Sequence, residues 1–90
     1  MKIGISAFAW TARFTDTPLK LLPQIRSMGF SALEVPMFNP ESLSIQSIRD
    51  SFEENDPECI VCAILPKPYN PISPIRKVRE ESISHLIRCV

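Results

Sequence analysis

A chain of 90 residues with ten basic and ten acidic side chains, 44% hydrophobic residues and nine prolines has an ordinary globular composition and the length of one small domain. At 10.2 kDa it buries only about 60 to 65% of its unfolded surface, so a core built from it alone is marginal. Zero formal net charge, a pI near 6.6 and the lack of a basic stripe exclude a nucleic-acid or anionic-membrane partner held by bulk electrostatics. The longest apolar stretch, Cys59 to Pro66, falls far short of the roughly 20 residues that cross a bilayer. The opening MKIGISAFAW has no small-residue cleavage site after a long apolar core, so it does not read as secretory. Three cysteines, an odd count, make no disulfide framework, and the chain reads as cytoplasmic with reduced thiols.

Short apolar runs alternate with segments of helical period. Ile3 to Ala9 suits a buried strand. Asp16 and Thr17 offer N-cap oxygens, Pro18 fits a first helical position, and Leu19, Leu22, Ile25 and Met28 share one face before Gly29 ends the helix. Pro23 lies inside that face and removes a backbone bond, which moves the main helix to a start near Leu22 or kinks it. Ala32 to Met37 is a second strand, followed by Asn39 as a cap, Pro40 and Glu41 in a first turn, and Ile45, Ile48 and Phe52 on one face. Cys59 to Leu65 is the third and most continuous run. After a loop with Pro66, Pro68 and Pro71, Ser73 and Pro74 open a third helix whose apolar face is Ile75, Val78, Ile83, Leu86, Ile87 and Val90.

The three runs recur at about 27 to 29 residues, the spacing of a βα repeat, and buried strands joined by helices imply a parallel sheet. Eight such units need about 225 residues, near the roughly 250 of a TIM barrel. The expected fold is α/β: the first three βα units of a (β/α)8 barrel, with residues 1–90 an incomplete domain and the last helix still apolar at Val90.

Few side chains carry chemistry by themselves. Cys59 and Cys62 form a CxxC, but in a strand the two positions face opposite sides and lack the helix N-terminus a redox pair uses. His85 and Cys89 share a helix face, yet two ligands make no metal site, and the cysteines are expected to be buried and structural. Glu34 interrupts an apolar strand, as an acid facing the polar mouth of a barrel or as a strand-end acid reaching solvent or an Arg. Phe8, Trp10 and Phe14 follow the first strand as a ligand wall or a cap on the core. Lys67, Tyr69 and Asn70 follow the third strand, on the side where such folds bind ligands, and Arg76, Lys77 and Arg79 with Glu80 and Glu81 read as a solvated surface. With Gly4 and Gly29 as the only glycines there is no phosphate-binding loop.

Met1 to Ile5, Met28-Gly29-Phe30-Ser31-Ala32-Leu33-Glu34-Val35, and Tyr69 to Pro74 followed by Arg79 together resemble the xylose-isomerase-like sugar isomerases and epimerases, nearest to the ketose 3-epimerases of D-tagatose and D-psicose type. The resemblance implies a barrel that binds Mn2+, Mg2+ or Co2+ and moves a proton next to a carbonyl through an enediolate, using ligands from its second half. It implies no catalytic or metal residue in these 90 positions and an inactive chain on its own, with a small-molecule sugar as the partner of the complete barrel. Substrate-binding positions carry over as Ser6 at the end of the first strand, Trp10 and Phe14 as aromatics lining the sugar pocket, Glu34 as the second-strand acid, and Leu65 near a frequent glycine. Ile75 stands where an Asp is usual. Two rivals remain: a non-catalytic βα module that associates, with itself included, through exposed sheet edges, and a repair enzyme of endonuclease IV type, which needs early histidines where this chain has only His85.

Overall fold

The computed structural model describes residues 1–15 and 17–90, without the side chains of Thr17 and Pro18, so the expected caps at Asp16 and Thr17 and the role of Pro18 lie outside the described residues. Strand β1 is Gly4–Ser6, β2 is Ala32–Met37 and β3 is Glu58–Ala63, in one parallel sheet of order β1-β2-β3. Gly4 pairs with Ala32, and Ala32 with Glu58. Helix α1 is Leu22–Ser27, α2 is Ile45–Asn55 and α3 is Arg76–Cys89. These are the three expected βα units, and β2 has the expected bounds.

Alternation along β2 divides the sheet into two unlike faces. Leu33, Val35 and Met37, with Ile5 of β1 and Ala63 of β3, pack against Leu22 and Ile25 of α1, Phe52 of α2, and Phe14. Leu22, Ile25, Leu33 and Val35 are fully buried, worth about 1.5 to 3 kcal/mol each. By register the other face carries Gly4 and Ser6, then Ala32, Glu34 and Pro36, then Ile60 and Cys62. Gly4 permits a close approach there: a Cβ would stand 3.1 Å from that of Ala32, so the neighbouring strand would have to give slightly. At the start of the sheet, Lys2 pairs with Glu58 across β2, and this hydrogen bond and charge raise the Lys2 pKa above its usual value.

Local chemistry explains the differences from expectation. The first strand ends at Ser6, not Ala9, because Ser6 Oγ accepts from the Phe8 amide (3.3 Å) and turns Ala7–Ala9 into a short 3-10 helix. Another 3-10 turn, Thr17–Leu21, precedes α1, whose start at Leu22 puts Pro23 in the first turn, where it is tolerated. Met28 is the C-cap of α1 and exposed, so the expected inward face ends at Ile25. Asn39 caps a separate 3-10 turn, Pro40–Ser42, through the Glu41 amide (3.2 Å); Ser44 caps α2 through the Ser47 amide (3.2 Å), leaving Ile45 outside. The third strand stops at Ala63, not Leu65, and is the least covered: Ile60 is 48% and Val61 40% exposed. No further strand borders β3 among the described residues, and α3 packs on it only lightly.

Helix α3 begins at Arg76, and Ser73 Oγ accepts from the Ile75 amide ahead of it (3.1 Å). Its buried residues are Ser82, His85 and Cys89, with Val78 and Leu86 half-buried, whereas Ile75, Ile83, Ile87 and Val90 are exposed; the expected apolar face is corrected by about one position around the helix. Ser82 Oγ accepts from the Asn70 amide (2.7 Å) and donates to Val78 O (2.6 Å), and His85 stacks on Tyr69 at 4.5 Å. Locally satisfied polar groups thereby take the inward positions. Among the described residues no helix is long and apolar enough to cross a membrane.

Candidate functional site

The loops leaving β1 and β2 enclose a cleft of about 610 Å³, within the range of small-molecule sites, at the C-terminal ends of the two strands. Thr11 shapes its first side: Thr11 Oγ1 donates to Arg13 O (2.6 Å) and accepts from the Arg13 amide (3.2 Å), closing a tight side-chain turn. Arg13 and Thr15 then line the cleft beside Phe14, which is also buried in the core. The second side comes from Pro36, Phe38, Asn39, Ser42 and Leu43. Phe38 meets Phe8 edge to face at 6.3 Å, joining the ends of the two strands.

Hydrogen bonding around the 3-10 turn Pro40–Ser42 leaves particular groups available. Asn39 Oδ1 accepts from the Glu41 amide, so its side-chain amide retains N–H donors; Ser42 Oγ donates to Asn39 O (2.8 Å), so its lone pairs remain as acceptors. The cleft thus presents aromatic and aliphatic walls, a donor, an acceptor and one cation.

The five residues expected at a substrate pocket occupy four places. Phe14 lines the cleft. Ser6 and Glu34 are register partners on the sheet face without helices, both half-buried, and Glu34 makes no ion pair among the described residues. Pro36 of the cleft lies two residues along β2 from Glu34, on the same face. Trp10 is exposed at the end of Ala7–Ala9, and Leu65 is half-buried just past β3; neither lines the cleft. Arg13, Phe38 and Ser42 were not singled out from the sequence. Their signal is faint: a polar or aromatic residue one to five positions after an apolar run.

The loop after β3 is structural in its contacts. Tyr69 stacks on His85, Asn70 is tied to Ser82, and the Lys67–Pro68 peptide is cis. Arg76–Glu80 (2.7 Å) and Lys77–Glu81 (3.8 Å) are the expected surface pairs, but Arg79 turns inward and donates to Ser73 O (2.7 Å) and Pro74 O (3.0 Å).

The cysteines are not uniformly buried. Cys59 is exposed, Cys62 half-buried and Cys89 buried. Cys59 pairs in register with Leu33 and Cys62 with Pro36, so the two thiols point to opposite faces, and the exposure of Cys59 follows from the thin cover over β3. Desolvation raises the pKa of Cys59; at Cys89 desolvation also raises it, against a lowering by Arg88. Cys89 Sγ lies 3.7 Å from His85 Nε2. Among the described residues no three His, Cys, Asp or Glu side chains come together to hold a metal ion, so these residues do not fit a divalent-metal cage.

No family model and no curated protein matches the sequence. Among solved structures, the fold is similar to that of a D-allulose 3-epimerase from Methylomonas sp., with a TM-score of 0.87 and 16% sequence identity over 99% of this chain. The chain covers 32% of that protein, about a third of its length. Its three parallel strands and their helices match the first βα units of that longer TIM barrel.

Proposed function

We propose that the chain supplies the first three βα units of a carbohydrate isomerase or epimerase barrel, with the cleft between the β1 and β2 loops as part of the wall around the sugar. The observation that carries this reading is the position of the cleft: it lies at the C-terminal ends of parallel strands, where TIM barrels bind substrates, on a fold shared with a D-allulose 3-epimerase. Phe14, Phe38 and Leu43 suit the C–H faces of a sugar, and Asn39 and Ser42 offer a donor and an acceptor to its hydroxyls. In this reading Ser6 and Glu34 face the barrel axis from neighbouring strands, and Trp10 and Leu65 stand at the rim. A divalent ion, were the complete barrel to bind one, would take its ligands from strands beyond these three and would serve to polarise substrate oxygens. The described residues of this chain do not form its cage. The role left to them is to bind and orient, so the chain alone is inactive.

Two measurements test this. Titrating the 90-residue protein with D-fructose or D-allulose is expected to shift the amide resonances of Phe14, Phe38, Asn39 and Ser42, with no epimerisation when Mn2+ is added. Joining the chain to the remaining two thirds of the Methylomonas enzyme is expected to yield a metal-dependent ketose epimerase. Epimerisation by the chain alone, or ketoses that leave those four amides unmoved, overturns the reading.

A second reading, a non-catalytic βα module that associates through its sheet edges, is favoured by one observation: Ile60 and Val61 of β3 are exposed along an edge that no described strand covers.

A further inference from the structure

We infer that the cleft binds a sugar carrying an anionic group, a phosphate or a carboxylate, through Arg13. This deepens, and rests on, the reading of the cleft as a carbohydrate site. Among the described residues Arg13 is the charged side chain of the cleft, and no Asp or Glu lines it. Among the described residues it makes no ion pair, unlike Arg76, Lys77 and Arg88. The nearest acid along the second wall, Glu41, is engaged by Arg88 Nε at 3.1 Å, which offsets the negative charge beside the cleft. The root of Arg13 is also fixed, because Thr11 holds both its amide and its carbonyl. A guanidinium carried on a backbone so held, lining a pocket with apolar walls, is suited to a bidentate pair with a phosphate or carboxylate. Asn39 and Ser42, on the opposite wall, are then placed for the hydroxyls of the same molecule.

Four probes separate the possibilities: D-fructose 6-phosphate, D-gluconate, D-fructose and inorganic phosphate, titrated into the 90-residue protein and into Arg13→Gln and Arg13→Lys, with affinities read by calorimetry or amide shifts. Arg13 is exposed, so both variants are expected to keep the parent circular dichroism spectrum. One or both anionic sugars should bind at least tenfold tighter than D-fructose and than inorganic phosphate, about 1.4 kcal/mol. Which of the two does so identifies the anion. Arg13→Gln should remove that preference, Arg13→Lys should retain part of it, and raising NaCl should weaken only the anionic ligands.

Equal binding of neutral and anionic sugars, or a preference that survives Arg13→Gln, overturns the inference while leaving the cleft a sugar site. Inorganic phosphate binding as tightly as the sugar phosphate overturns it in favour of a bare anion site. If no sugar moves the cleft resonances, the inference and the reading beneath it both fail.

Discussion

Among the described residues two sit in the left-handed region of backbone space, and they differ in what they tolerate. Gly29, just past the C-cap of α1, has φ +94°, and a Cβ added there would meet nothing within 4 Å. Replacement by alanine therefore costs backbone strain alone. Gly29→Ala is expected to lower stability by about 1 to 2 kcal/mol, seen as a lower urea midpoint at unchanged slope. Asp56 closes α2 with φ 59° and ψ 22°, a conformation that Asp visits more readily than most residues. The stop at Gly29 was visible in the sequence because glycine is the usual residue there. The stop at Asp56 was not, because aspartate also fits caps, turns and helix surfaces.

Among the elements, α3 depends most on a few polar contacts. Ser82, fully buried, joins the Asn70 amide to the Val78 carbonyl and so ties the loop after β3 to the helix. Ser82→Ala leaves the Asn70 amide without its acceptor, at an expected cost of about 1 to 3 kcal/mol and with faster hydrogen exchange at Asn70 than at the amides of β2. Periodicity located this helix well and its inward face poorly. The apolar side chains of Ile83 and Ile87 point to the core by pattern, but Ser82 and His85 are buried instead, held by partners at Asn70, Tyr69 and Cys89 that lie in a loop or one turn along. Strand β2, by contrast, was legible end to end, since both of its edges are paired and its apolar run coincides with its pairing. In the candidate site the same limit applied: Phe14 was found because it is aromatic, whereas Arg13 and Ser42 gain meaning only when the loops of two strands converge.

At the scale of the molecule, the core lies on one side of the sheet, and β3 ends it with an uncovered edge. The radius of gyration is 14.7 Å, against about 12 Å for a compact domain of this length. Apolar side chains left exposed along β3 and α3 favour association. The isolated chain is expected to show a mass that rises with concentration in size-exclusion chromatography with light scattering, and Val61→Lys to shift it towards monomer. A parent chain that stays monomeric throughout argues against edge pairing.

The order of the strands also bears on how the sheet is assembled. Each strand pairs with its predecessor in the chain, Gly4 with Ala32 and Ala32 with Glu58, so no pairing waits for a segment made much later. On a ribosome β2 can dock on β1 as soon as the intervening turn and helix have emerged, and β3 can then dock on the edge that β2 presents. Synthesis and sheet growth therefore run in the same direction, and at each stage the exposed edge is the template for the strand that follows.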